Sequence, residues 1–272
     1  MDLKQLISFL KESYVPDSYV LEKEYYGIQY GTHNLSNIKK VLLTINPSLS
    51  AIHYAIVNKF SLIISMFGLF NGSIKSFDIS LMNKLKLASK HPLSIYVLNS
   101  SLIAASGGIS DTLINTLYLK IDKNYNISGI NGIDVPIGRI CTPQKYPNSP
   151  DDFRLRDLVK RMVNNLNIKY LSYVGDQSRI INKINIIGAE ICTSREIRNT
   201  SEEGCDCLVS CKLDYQYAEF ALDLGLALVK APFYEIALIT FNRLLNILSL
   251  EFPYVEFHLF QSKNPINNSL AL

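Results

Sequence analysis

Two periodicities alternate along this chain. Leu3, Leu6, Ile7 and Leu10 share one face at helical spacing, so the chain opens on an amphipathic helix. A loop with Pro16 follows, then a short extended stretch ending at Gly27 and Gly31. Val41 to Ile45 is a continuous β-prone run. Pro47 and Ser48 then start a helix that carries Leu49, Ile52, Ala55 and Ile56 on one side. The exchange repeats. An apolar strand is expected over Ser61 to Phe67, a helix over Ile79 to Ser89 and a strand over Leu93 to Leu98. After the Gly107-Gly108 break comes a helix from Ser110 to Leu119. Strands alternating with helices predict βαβ units and an α/β fold.

The middle of the chain reads differently. Asn124 to Gly138 is rich in Asn and Gly, and Thr142 to Pro150 carries three prolines. Each reads as a surface loop or a boundary between lobes. A helix over Asp151 to Leu166 opens a second alternating set. Its strands are expected near Lys169 to Val174, Lys183 to Ile187, Cys205 to Cys211 and Leu226 to Ala231, and its helices near Tyr215 to Leu224 and Tyr234 to Leu250. The tail from Phe252 begins as a strand and ends polar. The expectation is an α/β fold of two intertwined lobes with mixed sheets flanked by helices. Residues 1–120 form the first lobe, 121–250 the second, and 251–272 a C-terminal strand and tail.

Composition narrows the classes of function. The 272 residues are 48% hydrophobic and 19% charged, a globular balance with enough chain to bury a large core. Lys and Arg number 27 against 24 Asp and Glu, a net charge of +3. That excludes a polybasic chain and leaves nucleic-acid binding only to a local patch. The longest uncharged apolar run, Ser61 to Phe70, is too short for a span of about 20 residues. The first residues lack the basic start and long apolar stretch of a secretory leader, so no membrane role is expected. Five cysteines at uneven spacing argue against a disulfide framework and for a cytoplasmic protein, with the nucleus as the second compartment.

Five short strings now stand in a suggestive order. They are Lys23-Glu24-Tyr25-Tyr26-Gly27-Ile28-Gln29-Tyr30-Gly31; Val41 to Ser50 with its turn Asn46-Pro47-Ser48-Leu49-Ser50; Ile64-Ser65-Met66-Phe67-Gly68-Leu69-Phe70; Asn99 to Ile103 followed by Gly107-Gly108-Ile109-Ser110-Asp111; and the pair Cys205 to Ala218 and Leu226 to Ala237. In this order they resemble the motifs of the NGG-one-interacting-factor-three family, also called GTP cyclohydrolase I type two or dinuclear-metal-centre hexameric proteins. The resemblance runs over nearly the whole chain. It implies a fold of two intertwined α/β lobes and, for typical members, a two-metal site and a hexameric ring.

The departures carry the functional reading. The resemblance implies metal ligands in a His pair, in the Asp of a His-Thr-Asn-Leu-Asp segment, and in a late His and Glu. Here the His pair is Met66 and Phe67, the Asp is Ile103, the late His is Phe233 and the Glu is Ala237. An inner His of the preceding helix falls closest to Gln216. Imidazole and carboxylate bind metal through lone pairs that Phe, Ile and Ala do not have, and a Met thioether suits such a hard site poorly. The expectation is a chain without metal or other cofactor and without metal-dependent hydrolysis, because no ion remains to acidify a bound water.

Other candidate chemistry is weaker. Cys205, Cys207 and Cys211 share one side of a strand, but they lack zinc spacing and a fourth ligand, and read as small apolar residues. His33, His53, His91 and His258 form no triad or HExxH spacing. Gly27, Gly31, Gly107 and Gly108 form no dinucleotide or Walker motif. Arg154, Arg156, Lys160 and Arg161 lie on one expected helix with Asp151, Asp152 and Asp157 between them, either a phosphate-binding face or a salt-bridged solvated one. Lys39-Lys40 is a smaller basic spot. The last residues Leu270, Ala271 and Leu272 are apolar after a polar stretch, a tail that a partner could hold.

Two readings result. The first is a regulatory, non-catalytic binding protein on a degenerate metal-hydrolase-like fold. Its partner would be a large RNA–protein assembly such as the ribosome, its contact residues Arg154, Arg156, Lys160, Arg161, Leu270, Ala271 and Leu272, and its homo-oligomeric state open. The second is an enzyme with residual or replaced hydrolase chemistry in the former cleft, using Asp111, Glu235 or Gln216. Asp111 has a plainer role in the first turn of a helix, where the helix dipole stabilises a carboxylate.

Overall fold

Four-residue strands built from Leu, Ile and Val dominate the two sheets, as expected for strands covered on both faces. The computed structural model describes residues 1–70, 72, 74, 76–144 and 152–266. The chain forms two units. The first is Met1–Ser106, Ser128–Val135 and Ala237–Pro265; the second is Gly107–Ile127 and Pro136–Ile236 together with Ile266. The chain passes between them repeatedly, so the two α/β lobes are intertwined in sequence.

The first unit opens with helix α1 (Leu3–Phe9) and contains strands β1 (Gly27–Tyr30), β2 (Lys40–Thr44), β3 (Leu62–Ser65) and β4 (Ser94–Val97). With β11 (Glu256–Leu259) they form a sheet in the order β1-β4-β3-β2-β11. β4, β3, β2 and β11 run parallel, and β1 is antiparallel to β4. Two crossover helices cover one face: α2 (Leu49–Val57) and α3 (Ile79–Ala88). Their Ile52, Ala55, Leu81 and Ala88 pack with Leu42, Ile63, Ile95 and Val97 of the strands. Each helix starts at a side-chain cap. Ser48 Oγ accepts from the Ala51 amide (3.1 Å), and the Asp78 carboxylate accepts from the Leu81 amide (2.8 Å). A five-residue helix, α4 (Ser100–Ala104), follows β4.

The second unit contains α5 (Ile109–Thr116), strands β5 (Leu119–Ser128) and β6 (Asp134–Pro143), and α6 (Leu155–Asn165). Then come β7 (Tyr173–Val174), β8 (Ile184–Ile187), α7 (Ser194–Glu202), β9 (Cys207–Ser210), α8 (Tyr215–Asp223) and β10 (Ala227–Lys230). The sheet order is β5-β6-β8-β9-β10-β7, with a parallel centre of β8, β9 and β10 and antiparallel neighbours β6 and β7. Both sheets are mixed and flanked by helices, the architecture the periodicity predicts. The chain returns to the first unit within α9 (Phe233–Glu251). This 19-residue helix is long and apolar enough to span a bilayer, yet Ile236, Ala237, Thr240, Phe241, Leu244 and Leu248 form a buried stripe at spacings of three and four. That stripe is the signature of a core helix.

Three sequence expectations are corrected. The Asn- and Gly-rich stretch Asn124 to Gly138, read as a surface loop or a lobe boundary, is not a loose loop but parts of two ten-residue strands joined at Asn131 and Gly132, both at positive φ, and the chain crosses between the two units within it. β5 is mostly exposed and polar, so its sequence lacks the apolar signal of a core strand. The strand expected over Lys169 to Val174 is confined to Tyr173–Val174. Helix α7 has no counterpart in the sequence reading. Its signal is a capping box: the Glu196 carboxylate accepts from the Thr193 amide (3.0 Å), and Thr193 Oγ accepts from the Arg195 amide (3.2 Å).

One buried ion pair anchors the second unit. Arg139 of β6 and Asp111 of α5 are both buried, with Nε 3.0 Å from Oδ1. Oδ1 makes a charge contact there rather than an aligned hydrogen bond, while Oδ2 accepts from the Gly107 amide (2.8 Å). Arg139 Nη1 also donates to the Pro136 (2.5 Å) and Gly138 (2.9 Å) carbonyls. Next to Asp111, Ser110 Oγ donates to the Ile137 carbonyl (2.6 Å) and accepts from the Gly188 amide (3.0 Å). Gly188 is obligatory because a Cβ there would sit 2.8 Å from the Ser110 amide nitrogen. Removing one partner of such a pair strands a buried charge. Arg139→Met is expected to lower the unfolding free energy by about 3–5 kcal/mol, and Asp111→Leu/Arg139→Met to lose clearly less. Urea denaturation of both variants measures this, and a double variant as unstable as the single one would refute it.

Candidate functional site

In parallel α/β sheets, ligands bind beyond the carboxyl ends of the strands, so that edge of the first sheet is the place to look. Thr44, Ser65 and Val97 end β2, β3 and β4 side by side. Thr44 Oγ1 donates to the Asn46 carbonyl (3.0 Å), and Ser65 Oγ lies 3.5 Å from the Tyr96 carbonyl, so both hydroxyls turn back onto backbone. Met66 and Phe67 continue β3: their amides donate to the Thr44 (3.1 Å) and Ile45 (3.0 Å) carbonyls. Met66 is fully buried.

The loop beyond Phe67 is held by one side-chain amide. Gln29 of β1 accepts from the Leu69 amide (2.6 Å) and donates to the Phe70 carbonyl (2.9 Å). It lies against Gly68, where any Cβ would overlap the Gln29 amide. Across the edge, Asn99 links β4 to α4 with φ 46° and ψ −141°, a conformation that L residues rarely adopt. Its amide donates to the Met66 carbonyl (2.8 Å) and its Nδ2 to the Tyr25 carbonyl (2.7 Å). Ser100 continues this lattice. Its Oγ donates to the Tyr19 carbonyl (2.8 Å) and accepts from the Leu21 amide (3.0 Å), and its own amide donates to Glu24 (3.2 Å).

This edge is tightly built but carries no metal-binding set. Met66, Phe67 and Ile103 offer no imidazole or carboxylate, and Ile103 is buried on α4. Ala237 is buried on α9, and Phe233 opens that helix. Among the described residues, no group of three or more His, Cys, Asp and Glu is placed to hold a metal ion. The residues present do not fit the two-metal group that the resemblance implies. Apolar side chains suit buried positions from which ligands have gone, because an unpaired polar cluster there would be costly to desolvate.

The remaining candidates separate clearly. Asp111 is consumed by its ion pair with Arg139. Gln216 is exposed on α8, and Glu235 is half-buried in the first turn of α9. Cys205, Cys207 and Cys211 are buried and free, as are Cys141 and Cys192. Burial pushes every one of these thiols up, Cys192 and Cys205 to about 11 and Cys141 to about 12, so none is a ready nucleophile.

Helix α6 divides its basic residues. Arg154 donates to the Ser178 carbonyl (2.6 Å) and pairs with Asp152 (3.0 Å). Arg161 donates to the Leu117 carbonyl (3.1 Å), with its guanidinium 4.5 Å from the centre of the Phe153 ring. Arg156 and Lys160 are exposed one turn apart, and the nearest carboxylate contact to Arg156 is Asp157 at 4.0 Å. Leu270, Ala271 and Leu272 lie outside the described residues.

With this geometry in hand, comparison with known proteins is informative. The family model described as Duf34/NIF3 (NGG1p interacting factor 3) matches residues 1–265. A relative named GTP cyclohydrolase 1 type 2 homolog, from Methanocaldococcus jannaschii, is 22% identical over 249 residues, 92% of this chain and 95% of the relative. A Bacillus subtilis protein of the same name is 32% identical over 117 residues, 42% of this chain and 31% of its own. Among solved structures, a hypothetical protein from Staphylococcus aureus, SA1388, aligns with a TM-score of 0.82 at 17% identity over 99% of both chains. Reduced HcgD from Methanocaldococcus jannaschii aligns with a TM-score of 0.78 at 20% identity over 95% of this chain and 97% of its own. At these identities the structures share the fold.

Two outcomes follow from the edge. Asn99→Ala is expected to lower stability by about 1–3 kcal/mol, and Asn99→Gly by less, because glycine relieves the backbone strain that alanine retains. Equal losses in thermal melts would remove the strain argument. Protein equilibrated with zinc, manganese or ferrous iron and then desalted is expected to hold no stoichiometric metal by elemental analysis, and its melting temperature to be unmoved by chelator. Two tightly held ions per chain would contradict the loss of the site.

Proposed function

The chain belongs to the Duf34/NIF3 family, and from that premise we propose that it is a regulatory binding protein that works by surface recognition rather than catalysis. One observation carries the reading: among the described residues no His, Cys, Asp and Glu group could hold a metal, and the positions where the resemblance implies ligands are Met66, Phe67, Ile103, Phe233 and Ala237. A hydrolase of this type needs a metal to lower the pKa of its attacking water. The cyclohydrolase named for the relatives is therefore not carried over to this chain. What survives is the fold, with its surface available for recognition.

The partner in this reading is a large RNA–protein assembly, the ribosome being the most concrete case, met in the cytoplasm. The exposed pair Arg156 and Lys160 supports it, since cations one turn apart on a helix match the spacing of a phosphate backbone better than an isolated charge does. Arg154 and Arg161 then serve as the frame that fixes the helix, not as contacts, because their guanidinium groups are already engaged.

Gradient sedimentation of the endogenous protein from gently lysed cells tests this. At low salt it is expected to travel with ribosomes and at high salt to be released, because phosphate contacts weaken as salt rises. Arg156→Glu/Lys160→Glu is expected to leave it in the light fractions at either salt. Wild-type protein that stays light throughout would refute the assembly as partner.

A further inference from the structure

The first unit carries a second surface that none of this uses. Between Glu24 and Asp111 the sequence holds seven lysines and one acid, Asp78. That acid is spent as the cap of α3, accepting from the Leu81 amide. Of these lysines, Lys40 is paired with Glu256 (3.0 Å). Lys59 follows α2, and Lys84, Lys86 and Lys90 lie on or just after α3. None of these four forms a salt bridge among the described residues.

Next to Lys59 and Lys86 in the chain, whose neighbours Asn58 and Leu87 line it, lies an apolar groove of about 620 Å³. Leu49, Tyr54 and Val57 of α2 line it, with Leu87 of α3 and Phe260 after β11, and His53, Ser50 and Asn58 are interspersed among them. The aromatic wall is fixed from beneath: the Tyr54 ring stacks on Phe60 (6.0 Å) and meets Phe260 (5.3 Å). Its apolar rim is nevertheless open to solvent, Val57 being 62% exposed. On α3 the apolar character extends outward to Ile79 (78% exposed) and Met82 (50%). An apolar surface of this kind with a charged rim is the anatomy of a recognition site.

We propose that the α2–α3 groove binds the apolar face of an acidic amphipathic helix from a partner protein. Leu49, His53 and Val57 follow one another at every fourth residue along α2, a length of about 12 Å, which suits roughly two turns of a partner helix. Such a helix seats apolar anchors at i, i+3 or i+4, and i+7, and its acidic residues would meet Lys59, Lys84, Lys86 and Lys90. The Tyr54 ring is packed against Phe60 and Phe260 rather than standing free, so it offers nucleic-acid bases a poorer stacking platform, and RNA fits the groove less well. This inference stands apart from the reading of α6, which lies in the second unit.

Selection of displayed helical peptides against the immobilised full chain tests it. Enriched peptides are expected to combine apolar residues at helical spacing with Glu and Asp elsewhere. Their binding is expected to weaken at least about tenfold with Val57→Glu and again with Lys86→Glu/Lys90→Glu. Arg156→Glu/Lys160→Glu is expected to leave it unchanged, which separates this site from the α6 reading. Both α2–α3 variants change exposed or partly exposed side chains, and the lysine pair keeps the test decisive if Val57→Glu disturbs folding. Enriched peptides that are basic or patternless, or binding indifferent to both variants, would overturn the proposal. So would binding to phosphatidylglycerol-containing vesicles that the same variants abolish while no peptide is enriched.

Discussion

The second unit is arranged around a buried ion pair. The Arg139 guanidinium sits where water cannot reach it, so α5 must deliver Asp111 to within 3.0 Å, and α5 can do so only if it begins just after Gly107. The requirement spreads outward. Ser110, one residue earlier, ties α5 to β6 and to the end of β8 through one hydroxyl, and Gly188 lets the two backbones approach. A slip of one residue in β6 would turn Arg139 to the opposite face of the sheet, so the pair also fixes the register in which Arg139 faces Ile186. A buried pair gains little over an apolar core in stability, but it penalises every arrangement in which the partners miss each other.

What the sequence makes legible follows what is buried on two sides. β2, β3, β4, β8 and β9 are short apolar runs, and helix α2 buries Ala51, Ile52 and Ala55 on one side, so these are readable from pattern alone. β5 escapes because eight of its ten residues alternate little and remain mostly in solvent; nothing in its composition distinguishes it from a loop. Helix α4 escapes for the opposite reason: all five of its residues are buried, so it has no polar face to reveal a period. The emptied ligand positions were visible as residue identities. The bonds that hold their loops were not, since Gln29 and the loop it clamps are some 40 residues apart.

Those bonds explain how an edge of this kind outlasts its chemistry. The Gln29 clamp, the constrained Asn99 link and the Ser100 lattice are made from backbone groups and short polar side chains, and none of them needs an ion to form. The scaffold and the reactive groups are therefore separable. Placing Phe, Ile or Ala at ligand positions removes lone pairs, Met offers only a soft thioether, and the supporting hydrogen bonds stay in place. The buried thiols of the second unit extend the same character, chemically quiet side chains used as packing.

The pairing of β11 with β2 has a consequence for biosynthesis. Glu256–Leu259 lies against Lys40–Leu43, so the first sheet acquires its fifth strand only after the long stretch of chain between β2 and β11 has been synthesised. Until then the outer edge of β2 is an unprotected row of amides and carbonyls, a template for association with any other extended chain. Such long-range parallel pairing is intrinsically slow to form. Throughout that interval the nascent chain carries an open strand edge, the kind of exposed pairing surface that a holding chaperone would shield.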